Sequence, residues 1–244
     1  MGTKLHFTVD PSIPEDPKVL QSVLAELKSD DAAQRREAAR TLASFAPESA
    51  EDTLLGFANS IEFRQFAPLA FYRLNTPRSM KALADMLTRT NVGSPEYMDS
   101  ASYLAKSNDP QWFPVLLDIA KRYPGDLGYA VPAAELGGDK MLPTLISLSN
   151  SPDKQFARVN AVEAMGYTGS RDAVPVLLDL LKNPDTDIAG RARNSLQLLT
   201  HRTAGEFPSN PQPQYFKWSQ WWAREGDTAP IYKASECGDF EPLQ

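Results

Sequence analysis

Cysteine and histidine are the scarcest reactive residues in this chain of 244: Cys237 stands alone, and the histidines are His6 and His201. A lone cysteine excludes an intrachain disulfide and any metal cluster built from several thiolates. Two histidines so far apart assemble no Ser-His-Asp, Cys-His or H-E-x-x-H arrangement. Positive charge is also short, 25 Lys and Arg against 31 Asp and Glu, for a net charge of −6 and a pI near 5.1. A nucleic-acid partner needs a basic stripe to displace counterions from phosphates, and this balance argues against one. No window approaches the roughly 18 apolar residues of a membrane span, so a soluble protein is expected. The start, Met1-Gly2-Thr3-Lys4-Leu5-His6-Phe7, lacks the apolar stretch of a secretory signal. A mature exported form would look the same, which leaves both cytoplasm and periplasm open. No glycine loop leads from a strand into a helix, so phosphate cradling has no support, and no segment alternates with period two over a useful length.

Punctuation, by contrast, is abundant: 20 prolines and 13 glycines. They recur in register. Gly137-Gly138-Asp139-Lys140-Met141-Leu142-Pro143 aligns without gaps on Gly169-Ser170-Arg171-Asp172-Ala173-Val174-Pro175, and each leads to a Pro-Asp pair, Pro152-Asp153 and Pro184-Asp185. Asp109 to Leu117 is a third copy around Pro114, and weaker copies place Ser22, Asp52 and Lys81 at the proline position. These anchors repeat about every 30 residues, the period of stacked units that cannot bury their own faces alone.

A second series runs between them. Ala38, Ala70, Ser100, Pro132, Ala161 and Ala192 are followed four residues later by Leu42, Leu74, Leu104, Leu136, Met165 and Leu196. A small residue four before a large apolar one shares a helical face with it. The small residue lets a neighbouring helix approach, and the large one fills the gap. Two helices per unit follow. Thr76-Pro77 and Asp109-Pro110 read as an N-cap followed by proline at the first helical position; Gly137, Gly138, Gly166 and Gly169 sit where C-terminal caps belong. Pro132 falls mid-helix, where a kink or a shortened helix is expected.

Asp153, Arg158, Ala161, Met165, Gly166 and Ala173-Val174-Pro175-Val176-Leu177 closely resemble the HEAT family, in particular the bacterial HEAT-like repeats of phycobilisome lyases. Asp30, Arg35, Ala38 and Leu42 match in part. The resemblance covers roughly residues 17 to 200 and implies an all-α α-solenoid, a right-handed superhelix of about six helix pairs. It also implies a ladder in which Arg35 and Arg158 pair with the preceding aspartates. A HEAT-type hydroxylase would need repeated His-Glu pairs, which do not occur, and a HEAT-like DNA glycosylase would need a basic concave face. A bilin lyase works with little side-chain chemistry of its own, so that class stays open.

Where Arg35 and Arg158 stand, three before the small anchor, the central units carry Ala67, Tyr97 and Tyr129. Around them lie Phe63, Phe66, Phe71, Tyr72, Tyr103, Trp112, Phe113 and Tyr123. Such aromatics either take over the packing between repeats or line a binding groove; Tyr97, Tyr129, Tyr103 and Trp112 are the candidate binding residues. The carboxylate clusters Glu15-Asp16, Asp30-Asp31, Glu51-Asp52 and Asp185/Asp187 read as helix-start caps rather than acid–base or metal groups.

After Thr200 the pattern stops. A loop with Pro208, Pro211 and Pro213 leads to Tyr215-Phe216-Lys217-Trp218-Ser219-Gln220-Trp221-Trp222, in which Tyr215, Trp218 and Trp222 share a helical face with Trp221 at its edge. A terminal repeat exposes an apolar flank, so this helix is expected to cap the last one, as in similar HEAT-like chains that end in W-x-x-W-W. Residues 227–244 are a docked or loose tail. The expected organisation is an N-terminal extended segment over 1–16, the solenoid over 17–200, and loop, cap and tail over 201–244. The leading expectation is a non-enzymatic monomer, without cofactor or metal, that binds a protein or peptide on the concave face of its second to fourth units. The alternatives are a bilin lyase-like enzyme or chaperone for a prosthetic group, and a structural module of a larger exported assembly.

Overall fold

The computed structural model describes residues 17–88, 93–152, 154–202, 211–234 and 240–243. His6, Cys237 and the segment 1–16 lie outside them. The chain is an all-α solenoid of HEAT-like helix pairs, and it forms two compact units, one ending at Leu83 and the other beginning at Ala84.

The first unit holds α1 (Pro17–Glu26) and α2 (Ala32–Phe45), then α3 (Glu51–Gly56) and α4 (Ala67–Leu74), and most of α5 (Pro77–Thr88). Helix α2 lies against α1 and α4, and α3 against α4. The small-residue series explains this packing, since Ala38, Leu42 and Ala70 are at most 1% exposed. Asp31 caps α2 by accepting the Ala33 N–H at 2.8 Å. At the start of α5, Thr76 and Ser79 cap reciprocally, each side-chain oxygen accepting the other's backbone N–H at 3.0 and 3.1 Å. Glu51 and Asp52 stand in the first turn of α3 but cap nothing. They bind Arg78 at 2.8 Å each, and Glu51 also accepts the Thr76 hydroxyl proton. The capping expectation is corrected there: no side chain caps the start of α3, and both carboxylates pair with Arg78 of α5.

The second unit continues with α6 (Pro95–Lys106), α7 (Phe113–Arg122), α8 (Leu127–Gly137), α9 (Leu142–Ser149), α10 (Gln155–Met165), α11 (Ala173–Leu180) and α12 (Thr186–Thr200). Successive second helices of the pairs stack, α6 on α8, α8 on α10 and α10 on α12. All twelve sequence anchors thus fall in alternating helices of six pairs. Gly166 shows how close the stacking is. Its φ of −64° is ordinary, but a Cβ there would sit 2.9 Å from Ser195 Cα. Glycine is therefore required by the approach of α12, not by a left-handed cap. Ser195 completes the contact by donating to the Val162 carbonyl at 2.8 Å. Positive φ is adopted instead by Gly138, at +52°, and Gly169, at +62°. Helix α8 runs unbroken through Pro132, which is buried.

The last pair is capped. Helix α13 (Pro211–Glu225) packs on α11, and β1 (Ile231–Ala234) packs on α12 while pairing antiparallel with β2 (Phe240–Leu243). Ile231 and Ala234 are buried. Of the docked or loose tail expected from the sequence, the strand that packs on α12 fits the docked form; four-residue strands are too short to register as an alternation. Arg171, in the turn before α11, locks the cap. Its guanidinium donates to the Gly226 carbonyl and to Ala229 O at 2.6 Å, and lies 5.7 Å from the Trp222 ring. Arg171→Ala should cost about 2 kcal/mol, the worth of hydrogen bonds from a charged donor, and should speed proteolysis after Thr200. Arg171→Lys cannot span both carbonyls and should recover only part of the loss; a melting curve and digestion rate equal to the parent's would refute the lock.

Candidate functional site

The structure divides the four binding candidates between two edges of the second unit. Tyr97 and Tyr129 begin α6 and α8, so they meet at the edge where the turn from α7 to α8 runs. Tyr103 ends α6 and Trp112 precedes α7, which puts them at the opposite edge, where Phe113 also packs over Gly137. The four sequence candidates are therefore not one site.

Tyr97 and Tyr129 are interior, 4% and 1% exposed. Their register explains why. Side chains three before the small anchor reach back toward a preceding turn and satisfy its backbone. Arg35 donates to the carbonyls of Ser29 at 2.8 Å and Asp30 at 3.1 Å, and Arg158 to Ser149 O at 3.4 Å. Tyr129 does the converse, its hydroxyl accepting the Gly93 N–H at 3.1 Å. The implied Arg–Asp pairing is corrected for Arg35, which holds the Asp30 carbonyl rather than its carboxylate and makes its ion pair with Glu62 at 3.1 Å; Asp153, the aspartate before Arg158, lies outside the described residues. Burial pushes the Tyr129 phenol up, only partly offset by the Gly93 bond, and the nearby Asp126, Tyr123 and Tyr97 act in the same direction as burial. Tyr103 and Trp112 are half-buried, with Lys106 Nζ 5.4 Å from the Tyr103 ring centroid.

What reaches solvent at the first edge is two rings, neither of them among the four sequence candidates. Tyr123, 36% exposed, leans on the buried Tyr129 with ring centroids 6.0 Å apart. Phe156, at the second position of α10, is 80% exposed. Phe156 lies beside the turn that follows Tyr123, because a Cβ on Gly125 would lie 3.8 Å from Phe156 Cβ. Asn160 fixes the turn against α10 by donating to Gly125 O at 2.9 Å. Only exposure distinguishes Phe156, since an apolar residue in the first turn of an amphipathic helix reads as core.

At the capping helix, Trp218 is fully buried and meets Trp221 edge-on at 5.6 Å; Trp221, 4% exposed, donates to Glu225 at 2.7 Å and lies under Arg202 at 4.4 Å. Trp222 is half-buried, as is Tyr215, whose ring lies 4.7 Å from Lys182 Nζ. His201 stacks on Tyr232 at 4.4 Å. Among the described residues no group of three or more His, Cys, Asp or Glu could hold a metal ion, and no helix is long and apolar enough to cross a membrane.

The fold and this arrangement define the class as a HEAT-like helical-repeat protein. Within that class, residues 157–183 match the model of the PBS lyase HEAT-like repeat. No curated protein matches it. Among solved structures it is similar to the complex of CpcE and CpcF of phycocyanin lyase from Nostoc sp. PCC7120, at 17% identity over 80% of this chain and 81% of that one, with a TM-score of 0.46.

Proposed function

We propose that this chain is a lyase-like HEAT protein that engages a client protein and handles a prosthetic group of the linear tetrapyrrole type. The observation that carries the reading is the match of residues 157–183 to the PBS lyase HEAT-like repeat. Stacked repeats suit such a role, because they offer long surfaces for a client while the reactive chemistry resides in the pigment. The test is a titration of the purified chain with biliverdin. A saturable red shift and an induced circular dichroism signal are the expected results. A spectrum identical to free pigment at excess protein would overturn the pigment half of the proposal.

The second reading is a plain protein-binding scaffold, in which Tyr103 and Trp112 remain candidate contacts. It is favoured by the exposed rings of Tyr123 and Phe156, because large apolar groups left in solvent can mark contact surfaces. A pigment-free partner recovered reproducibly from the native host, with no spectral change on adding biliverdin, would select this reading over the first.

A further inference from the structure

We infer that the apolar ridge of α1 is a docking surface for the chain's own N-terminal segment, with Leu5, Phe7 and Val9 as the side chains that cover it. The first repeat is then closed from within the chain, as α13 and the hairpin close the last.

Helix α1 is set apart by what it fails to bury. The first helices of the later pairs, α3, α5, α7, α9 and α11, each place a leucine inside: Leu54, Leu83, Leu116, Leu145 and Leu177 are at most 1% exposed. Helix α1 buries no residue fully. Its sequence is nonetheless amphipathic, with Val19, Leu20, Val23 and Leu24 at helical spacing on one face. Packing against α2 takes up part of that face. Leu20, Val23 and Leu24 stay half-buried, and Val19 is 52% exposed. A terminal unit has a repeat on one side only, so such a ridge stays open unless something outside the repeats covers it.

The sequence joined to α1 supplies the occupant. Residues 1–16 run into the helix at Pro17 and carry Leu5, Phe7, Val9 and Ile13. Pro11, Pro14 and Pro17 are incompatible with one continuous helix, so an extended chain is expected from the sequence. In an extended chain Leu5, Phe7 and Val9 fall on one side. Reaching back along α1 needs a reversal, and Ile13-Pro14-Glu15-Asp16 puts proline at the second position of a turn, where its fixed φ belongs. The lengths agree: five extended residues span about 15 Å, as do ten helical ones, and α1 has 10. Tethering decides among occupants. A segment attached by a few residues acts at an effective concentration on the order of millimolar, well above that of a second copy or a client in ordinary solution.

The test compares hydrogen exchange in the full chain with that in a variant combining Leu5→Ser, Phe7→Ser and Val9→Ser. Exchange in α1 and α2 should quicken by about tenfold or more, the effect of uncovering a few apolar side chains, while α10 and α12 keep their rates. Val19→Ser, at a position exposed enough for the fold to tolerate the change, should quicken the same helices. Combined with the triple variant it should add little, because both remove one contact. A benzophenone attached at position 7 of a Phe7→Cys, Cys237→Ser variant should cross-link within the chain, to peptides of α1 or α2. Unchanged exchange in the triple variant, or fully additive effects of the two sets of changes, would overturn the inference. So would cross-links that join two chains and grow with concentration, which assign the ridge to a second copy, and cross-links confined to other parts of the same chain.

Discussion

Replacing Tyr129 with alanine should lower the unfolding free energy by about 3–5 kcal/mol, the usual cost of truncating a fully buried aromatic side chain. The ring is 1% exposed, packs on Tyr123, and its hydroxyl satisfies the Gly93 N–H. Tyr129→Phe keeps the ring and removes only the acceptor, so about 1 kcal/mol should be lost. Urea unfolding followed by circular dichroism measures both, with an unchanged slope indicating that stability alone has moved. The sign of the pH dependence is a further check. Burial raises the phenol's pKa in the folded chain above its ordinary 10.0. The contribution is therefore fully present below that ordinary value and fades as pH rises through the folded pKa, because the unfolded chain ionises first. Tyr129→Phe should lose this alkaline limb. An alanine variant as stable as the parent would mean that the ring is not part of the core. The practical consequence concerns binding experiments. Loss of a partner on Tyr97→Ala or Tyr129→Ala reports a damaged core, whereas loss on Phe156→Ser reports a surface.

That distinction marks how far the residues could be read in advance. Small and large positions four apart specified the second helix of every pair, because close helix packing tolerates few alternatives; Ala38, Ala70, Ser100, Ala161 and Ala192 are all at most 1% exposed. The Trp-rich helix was legible for the same reason, since a terminal repeat must cover its flank. The direction of Tyr97 and Tyr129 was not legible. Their register is that of Arg35 and Arg158, and whether such a side chain turns inward depends on the backbone groups that the preceding turn leaves unsatisfied. Gly93 offers an N–H to a phenol, while Ser29 and Asp30 offer carbonyls to a guanidinium. Phe156 was missed through the opposite ambiguity. Its neighbour Ala157 is 2% exposed, so the same first turn of α10 supplies one core residue and one solvent-facing ring. One-dimensional periodicity cannot separate adjacent positions that straddle the border of a buried face.

The second large effect is expected at the cap. Trp218→Ala should cost about 3–5 kcal/mol, because this indole is fully buried and its edge-on contact with Trp221 orders the helix that covers α11. Trp222→Ala should cost less. Its ring is half-buried, and beyond packing it gives up a contact with Arg171 at 5.7 Å, worth about 0.5–1 kcal/mol for a guanidinium over an exposed ring. Phe216→Ser, at a position 62% exposed, should change stability little and serves as the control on the same helix. In a repeat protein each unit draws stability from its neighbours, so the damage should be graded along the chain rather than uniform. Hydrogen exchange in the Trp218→Ala variant should therefore quicken most in α11 and α12, less in α10, and least in α8. Uniform acceleration across those helices would mean that the second unit unfolds as one body, and no acceleration would mean that α13 is not the cap its packing indicates.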